Sequence, residues 1–405
     1  MNQRISLTQG EYETVSILDR IKNKDLTQEE GAELLKLSSR QIRRKLKRYF
    51  EGGLLGIVHR GQGKKSNRSI KKELADQIIE IVSRKYLEKL GNLIGPTFLA
   101  EKLLEEHKIK IDHETLRRLM IAAGLWQVRK TKGKKKHCWR EPKHHKGELV
   151  QVDGSKHIWF GNDYATLVAF IDDATSSIMC AEFVAHESTE ALGTLMKKYV
   201  EKYGRPLAVY SDRGSTYKVN NDKSGKPGKT QFERMLNELD VELIHARSPQ
   251  AKGRIERLFG TTQERLVAEL KLRNINTIEK ANRFLQDIYI PWHNAKYAKN
   301  AVSNADYHRP IEGFDIHAIF CLKFSRTINN DYTVSFKKRL FQIDVKQSVR
   351  LRPGDLLEVH LSFDKTIKLV KNNTNLNFCE TNKALLDALK NRATETANDL
   401  LEEIK

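Results

Sequence analysis

The stretch "LVQVD" (149–153), with "TLVAFID" (166–172) and "SIMCAEFV" (177–184) behind it, decides the fold. Each run is short, rich in β-branched residues and bounded by turn formers, so each reads as a strand; "DDATS" between the last two reads as a hairpin turn. The texture then changes. "STEALGTLMKKYVEKYG" (188–204) has helical periodicity, Ser188 or Thr189 to cap it and Gly204 to stop it. A strand "LAVYSD" (207–212), a helix "TQFERMLNELD" (230–240), a strand "VELIHA" (241–246) and a further helix follow. Three strands first and alternation afterwards predict an α/β core with a mixed sheet.

Asp153 closes the first predicted strand and Asp212 the fourth. If those strands lie side by side and parallel, their carboxylates converge, a placement that repels itself unless cations fill it. In "SPQAKGRIERLFGTTQERL" (248–266), Ile255, Leu258, Phe259, Thr262 and Leu266 form one helical stripe. Glu256 lies about 100° around from Ile255, at the stripe's edge, where a carboxylate can reach over the strand ends. Oxygen-only ligands favour Mg²⁺, with Mn²⁺ as a substitute, and a pair of ions would serve in-line displacement at phosphorus. Lys252, Arg254 and Arg257 would neutralise DNA phosphate beside that carboxylate, and Gly253 would let a backbone come close. Asp163, Asp172 and Asp173 compete, but "DDATS" suits turn chemistry. Trp159 reads as core, His157 as a cleft residue, His245 as structural, and Ser248 and Pro249 as shaping the lead into the helix.

Composition points the same way. The chain has 405 residues, long enough for several domains, with 72 Lys and Arg against 52 Asp and Glu and a net charge of +20, which favours a polyanionic partner. The excess is concentrated: Arg40–Lys72 holds twelve Lys or Arg and one acid, and Arg129–Lys146 nine and one. Residues 27–50 read as two short helices, the second with an apolar stripe of Ile42, Leu46 and Tyr49 and with Arg40, Gln41, Arg43, Arg44 and Lys47 turned away from it, a helix-turn-helix pattern suited to a major groove. Residues 95–126 repeat the pattern, with Pro96 in a first turn and Asp112 capping a helix that carries Arg117 and Arg118. The basic linker behind it, including Lys134, Lys135 and Lys136, would track a DNA backbone.

After "PWHN" (291–294), residues 324–370 read almost wholly as short alternating strands, which predicts a small β-barrel, and the last stretch as a helix of mixed charge. The domain expectation is two helix-turn-helix modules at 1–68 and 69–128, a basic linker at 129–147, a catalytic core at 148–300, a linker at 301–323, the barrel at 324–371 and a helical tail at 372–405. Four cysteines without paired spacing indicate neither a disulfide framework nor structural zinc, and the absence of a long apolar run or signal sequence leads to the expectation of a soluble cytoplasmic protein.

The motifs "GELVQVDGSKHIWF", "FIDDATS", "YSDRGSTYKVN" and "SPQAKGRIERLFGTTQERL" resemble the DDE transposase and integrase superfamily, most closely the ISNCY-type insertion-sequence transposases. The resemblance runs over nearly the whole chain. It implies a ribonuclease-H-like core, Asp153, Asp212 and Glu256 as a metal-binding triad, cutting at the ends of a bacterial element and joining of the freed 3′-hydroxyls to target DNA, by at least a dimer on paired ends. One departure is the forty-three residues between Asp212 and Glu256, an interval longer than in many integrase cores; the Gly/Lys/Asn-rich segment 218–230 accounts for it as an outward loop. Two alternatives stand beside this reading: a DNA-binding regulator with an inactive core, and a nuclease that cuts without joining.

Overall fold

The computed structural model describes residues 7–58, 70–91, 94–127, 140–212, 229–245, 253–344 and 346–381. Two compact units divide between Ile78 and Ile79.

In the first unit, α1 (Gln9–Lys22), α2 (Gln28–Leu34), α3 (Ser39–Gly52) and the short α4 (Leu54–Ile57) enclose a core of Val15, Leu18, Ala32, Ile42, Leu46 and Ile57. Each of the first three helices starts in a reciprocal capping box: Thr8 with Glu11, Thr27 with Glu30, Ser38 with Gln41. The predicted stripe of α3 is buried at Ile42 and Leu46, and Tyr49 donates to Asp19 at 2.6 Å, pinning α3 to α1. Gly56 has to be glycine, because a Cβ there would stand 2.0 Å from the carbonyl oxygen of Arg48. The helix α5 (Lys72–Ile81) follows.

The second unit continues with a π-helical stretch (Val82–Leu87), α6 (Glu88–Leu90), α7 (Pro96–His107) and α8 (His113–Ala122). Its centre is a five-stranded sheet of β1 (Leu149–His157), β2 (Ala165–Asp172), β3 (Ile178–Val184), β4 (Ala208–Ser211) and β5 (Glu242–His245), in the order β3-β2-β1-β4-β5. The first three pair antiparallel; β4 runs parallel to both β1 and β5. This is the predicted mixed sheet. On one face α9 (Thr189–Tyr203) and α10 (Gln231–Glu238) pack against Val150, Val152, Val168 and Phe170. On the other, α11 (Gly253–Leu272) and α12 (Ile278–Phe284) cover Leu167, Ala169 and Ile171. With both faces covered, β2 is buried along its whole length, which explains its unbroken apolar run.

A second π-helical stretch (Leu285–Tyr289) joins α12 to α13 (Ile290–Tyr297). It ends two residues before Pro291, whose missing N–H and ring cannot continue α-helical bonding to the preceding turn. This helical run seals the edge strand β3. Asn294 donates to and accepts from Ile178 (2.9 and 2.8 Å), Gln286 donates to the Ala181 carbonyl (2.6 Å), and Asn282 accepts from and donates to Phe183 (2.6 and 2.9 Å).

Beyond α14 (Ile316–Ile319), the strands β6 (Cys321–Thr327), β7 (Thr333–Phe336), β8 (Arg339–Ile343), β9 (Leu356–Ser362), β10 (Ile367–Lys371), β11 (Thr374–Leu376) and β12 (Phe378–Thr381) share one core. The expected barrel is not what they build. Among the described residues they form two antiparallel sheets, β11-β10-β9-β6 and β12-β8-β7, that are not closed onto each other. The chain changes sheet three times, between β6 and β7, between β8 and β9, and between β11 and β12. Residues 374–381, expected in a helical tail, are β11 and β12; residues 382–405 lie outside the described residues. Gln231 of α10 grips the edge of β6 as Asn282 grips β3, donating to the Lys323 carbonyl at 2.8 Å and accepting from its N–H at 3.1 Å.

Asn294→Ala would strand the N–H and carbonyl of Ile178, and leaving such groups unsatisfied costs about 1–3 kcal/mol apiece before any water replaces the amide. The expected result is a clear drop in the urea midpoint of the second unit, followed by tryptophan fluorescence, where substitution of the exposed Asn300 leaves it unchanged.

Candidate metal and nucleic-acid site

The ladder between β1 and β4 runs Leu149↔Ala208, Val150↔Val209, Gln151↔Tyr210. The pairing ends there, so Asp153 and Asp212 each lie two residues beyond the last paired position of their strands. Alternation fixes the face. Val150, Val152 and Val209 point to the α9 side, so Gln151 and Asp153, and Tyr210 and Asp212 with them, belong to the side covered by α11. Asp153 does not end its strand as expected, since β1 continues to His157; β4 stops first, and Asp153 lies just past the point where its neighbour leaves.

Two hydrogen bonds lay α11 along β1. The Ile255 N–H donates to Gln151 Oε1 at 3.3 Å, and Gln263 Nε2 donates to Ser155 Oγ at 3.0 Å. Eight helical residues rise about 12 Å and four strand residues about 13 Å, so helix and strand keep step. The predicted stripe, Ile255, Leu258, Phe259, Thr262 and Leu266, is buried throughout. Glu256 is the exposed residue next to the first tether, one position beyond the residue bonded to Gln151. Asp153 is half-buried and accepts from the Gly154 N–H at 3.0 Å. The three carboxylates are not drawn into a metal-sized group: no cluster of three or more His, Cys, Asp or Glu able to hold an ion occurs among the described residues.

The other predicted residues divide by what they touch. Arg40, Arg43, Arg44 and Lys47 are exposed on α3. Gln41 is exposed too, but its Oε1 accepts from the Ser38 N–H at 2.9 Å, so it serves the helix cap. On α8, Arg117 forms two bonds of 2.7 Å to Glu114, and Arg118 a third of 3.3 Å; Arg117 is the chief reason that the Glu114 carboxyl is held down at about 2. Arg257 is exposed. Arg254 turns inward to the fully buried Asp173 at 2.9 Å, its side chain only 17% exposed. Lys134, Lys135, Lys136 and Lys252 lie outside the described residues.

Asp172 behaves as the turn reading expects: it accepts from the Thr175 N–H and hydroxyl at 2.8 and 2.7 Å. Asp173 does something the sequence reading missed, binding Arg254, Arg140, Gln151 Nε2 and the Lys143 N–H. The one signal for it was a second aspartate in a turn that needs one. Trp159 is core, fully buried with its indole N–H on the Ser155 carbonyl. His245 faces the Asp212 carbonyl at 3.3 Å. Beside α11 a cavity of about 200 Å³ is lined by Arg254, Arg257, Leu258, His293 and Lys299 among others.

No family model matches the chain. It is 34% identical over 368 residues, 89% of this chain and 78% of the relative, to "Putative transposase y4bF" of Sinorhizobium fredii (strain NBRC 101917 / NGR234). It is 29% identical over 342 residues, 76% of this chain and 72% of the relative, to "Transposase for insertion sequence IS1202" of Streptococcus pneumoniae. The chain belongs to this family of transposases. Solved structures align more loosely. The HTLV-2 integrase catalytic core domain in complex with magnesium (dimeric form) matches 36% of this chain and 89% of its own, at 15% identity and a TM-score of 0.27. A simian T-cell lymphotropic virus intasome in complex with PP2A regulatory subunit B56 gamma matches 70% and 94%, at 12% identity and 0.33. Superpositions this loose carry no weight for the site.

His293, which lines the cavity, is buried neutral, and burial lowers its pKa from 6.5 to about 4. The unfolded chain binds the proton first, so the stability that this histidine contributes is complete above pH 6.5 and is lost as pH falls toward 4. The thermal midpoint should therefore decline less steeply across that window in His293→Gln than in the wild type.

Proposed function

We propose that the chain is a metal-dependent DNA transposase that binds the terminal inverted repeats of a bacterial insertion sequence, hydrolyses the phosphodiester at the element's ends and joins the freed 3′-hydroxyls to target DNA. The observation that supports this reading is the parallel register of β1 and β4, whose last pair lies two residues before both Asp153 and Asp212, together with the bond that ties the residue before Glu256 to β1. Family membership agrees with it.

Asp153, Asp212 and Glu256 would hold divalent ions, two Mg²⁺ with Mn²⁺ as a substitute. The donor set fits such ions: three carboxylates are a hard-oxygen set, the nearby His245 faces the Asp212 carbonyl, and carboxylates that repel one another stand apart until a cation draws them in. Bound there, a pair of ions supplies a deprotonated attacking oxygen and a stabilised leaving oxygen. The protein's own part is placement. The β1–β4 ladder would bring the two aspartates near each other beyond its last pair, and the two tethers along β1 would position the third acid.

DNA contacts fall to the exposed cations of α3, Arg40, Arg43, Arg44 and Lys47, with Arg257 beside Glu256 and Arg118 on α8. Lys134, Lys135, Lys136 and Lys252 complete the set by charge. Arg117 joins it if DNA displaces Glu114, whereas Gln41 and Arg254 serve the protein itself. In domain terms, 1–68 and 69–128 are DNA-binding modules joined by the basic linker 129–147 to a catalytic core at 148–300, and two chains at least act on paired ends. A bacterial enzyme of this kind works on the nucleoid in the cytoplasm.

Asp153→Asn, Asp212→Asn and Glu256→Gln should each keep end-DNA binding in gel shifts while Mg²⁺-dependent cleavage and strand transfer fall to background. Activity retained by any purified variant removes that residue from the triad. A wild-type protein silent in Mg²⁺ and Mn²⁺ is the DNA-binding regulator, and one that cuts without a joined product is a nuclease. Arg43→Ala/Arg44→Ala should flatten the dependence of log K on log salt by about 2, each lost phosphate contact removing about 0.9.

A further inference from the structure

We propose that Asp173 is the positioning residue for Glu256, fixing the first turn of α11 against β1; the inference rests on the reading of Glu256 as a metal ligand. Asp173 is wholly buried, and a buried carboxylate persists only when its charge and lone pairs are met. Its Oδ1 accepts from Gln151 Nε2 at 2.6 Å, from Arg254 Nη1 at 2.9 Å and from Arg140 Nη2; its Oδ2 accepts from the Lys143 N–H at 2.8 Å. Its own N–H donates to the Leu149 carbonyl at 2.9 Å, which ties the carboxylate to the start of β1.

Gln151 is the relay. With Nε2 committed to Asp173, the amide presents Oε1 to the Ile255 N–H, so Asp173 decides which end of the amide meets the helix. Arg254 and Ile255 are the two residues directly before Glu256, one bonded to Asp173 and the other to its relay. The turn needs of "DDATS" are met by Asp172, which leaves Asp173 for this task. Arg140 and Lys143 bring the later part of the basic linker to the same carboxylate, and Arg254 Nη2 reaches the Arg140 carbonyl at 3.3 Å. Supporting groups of this kind govern metal affinity by about 10–100-fold elsewhere.

The test uses the full chain and two readouts, calorimetric titration with Mn²⁺ alone and amide hydrogen exchange of residues 253–258. Asp173→Asn should weaken Mn²⁺ binding about tenfold and speed exchange in that turn, while exchange at Leu266–Leu270 stays as in the wild type. Asp173→Asn/Arg140→Gln has the wild-type net charge in this cluster and leaves α11 untouched; it should regain thermal midpoint while Mn²⁺ affinity stays low and exchange at 253–258 stays fast. Recovery of affinity and exchange together with the midpoint would reduce Asp173 to charge balance and overturn the proposal, as would unchanged exchange in Asp173→Asn. Glu256→Gln separates the two ideas. If it binds Mn²⁺ as the wild type does, Glu256 is no ligand and the functional reading fails, while exchange at 253–258 still decides whether Asp173 sets the turn.

Discussion

The site depends on one ladder, the parallel pairing of β1 with β4. Strands that run the same way cannot be joined by a tight turn, so the chain must leave the sheet and return, here through β2, β3 and α9. That detour brings two acids distant in sequence, Asp153 and Asp212, each to two residues beyond the ladder's last pair. A slip of one residue in this pairing would send Asp212 to the α9 face while Asp153 stayed on the other, because the side-chain period of a strand is two. The apolar side chains prevent it: Val150, Val152 and Val209 belong to one core and could not be exchanged for Gln151 or Asp153 without putting an amide or a charge into that core.

The second constraint is helical. The third acid lies on α11, whose apolar stripe packs on the opposite face of the sheet from α9 and α10. Packing alone would let such a helix slide; directional bonds at Gln151 and Ser155 stop it. The charges around Asp173 carry that order outward into residues 140–143, so a buried ionic cluster, costly in itself, defines geometry at the end of α11 nearest Glu256.

Much of this was legible in the sequence, for physical reasons that differ by element. The core strands announce themselves as short apolar runs, and the α11 stripe as a helical repeat, because both follow from local geometry. Continuation of β1 through "GSKH" was not legible, since that half of the strand gains a partner only from β2 and carries Gly154 and Lys156 where a buried strand would be apolar. The fate of Arg254 was hidden for another reason: its partner Asp173 lies eighty-one residues upstream, beyond any local pattern. Arg117 was within reach, as Glu114 three residues before it is an ordinary helical pair. Alternation in the C-terminal strands told which side chains point inward but not which strand pairs with which, and two open sheets satisfy the same pattern as a barrel.

The amide side chains that grip β3 and β6 have a meaning beyond holding helices in place. An open strand edge is a template for another chain, and proteins that gather in numbers on one polymer are exposed to that hazard at high local concentration. Asn282, Gln286 and Asn294 on one sheet, and Gln231 on another, occupy backbone groups that a neighbour's strand would use. Copies of this chain at high local concentration are thereby steered away from fusing sheet to sheet at these two margins.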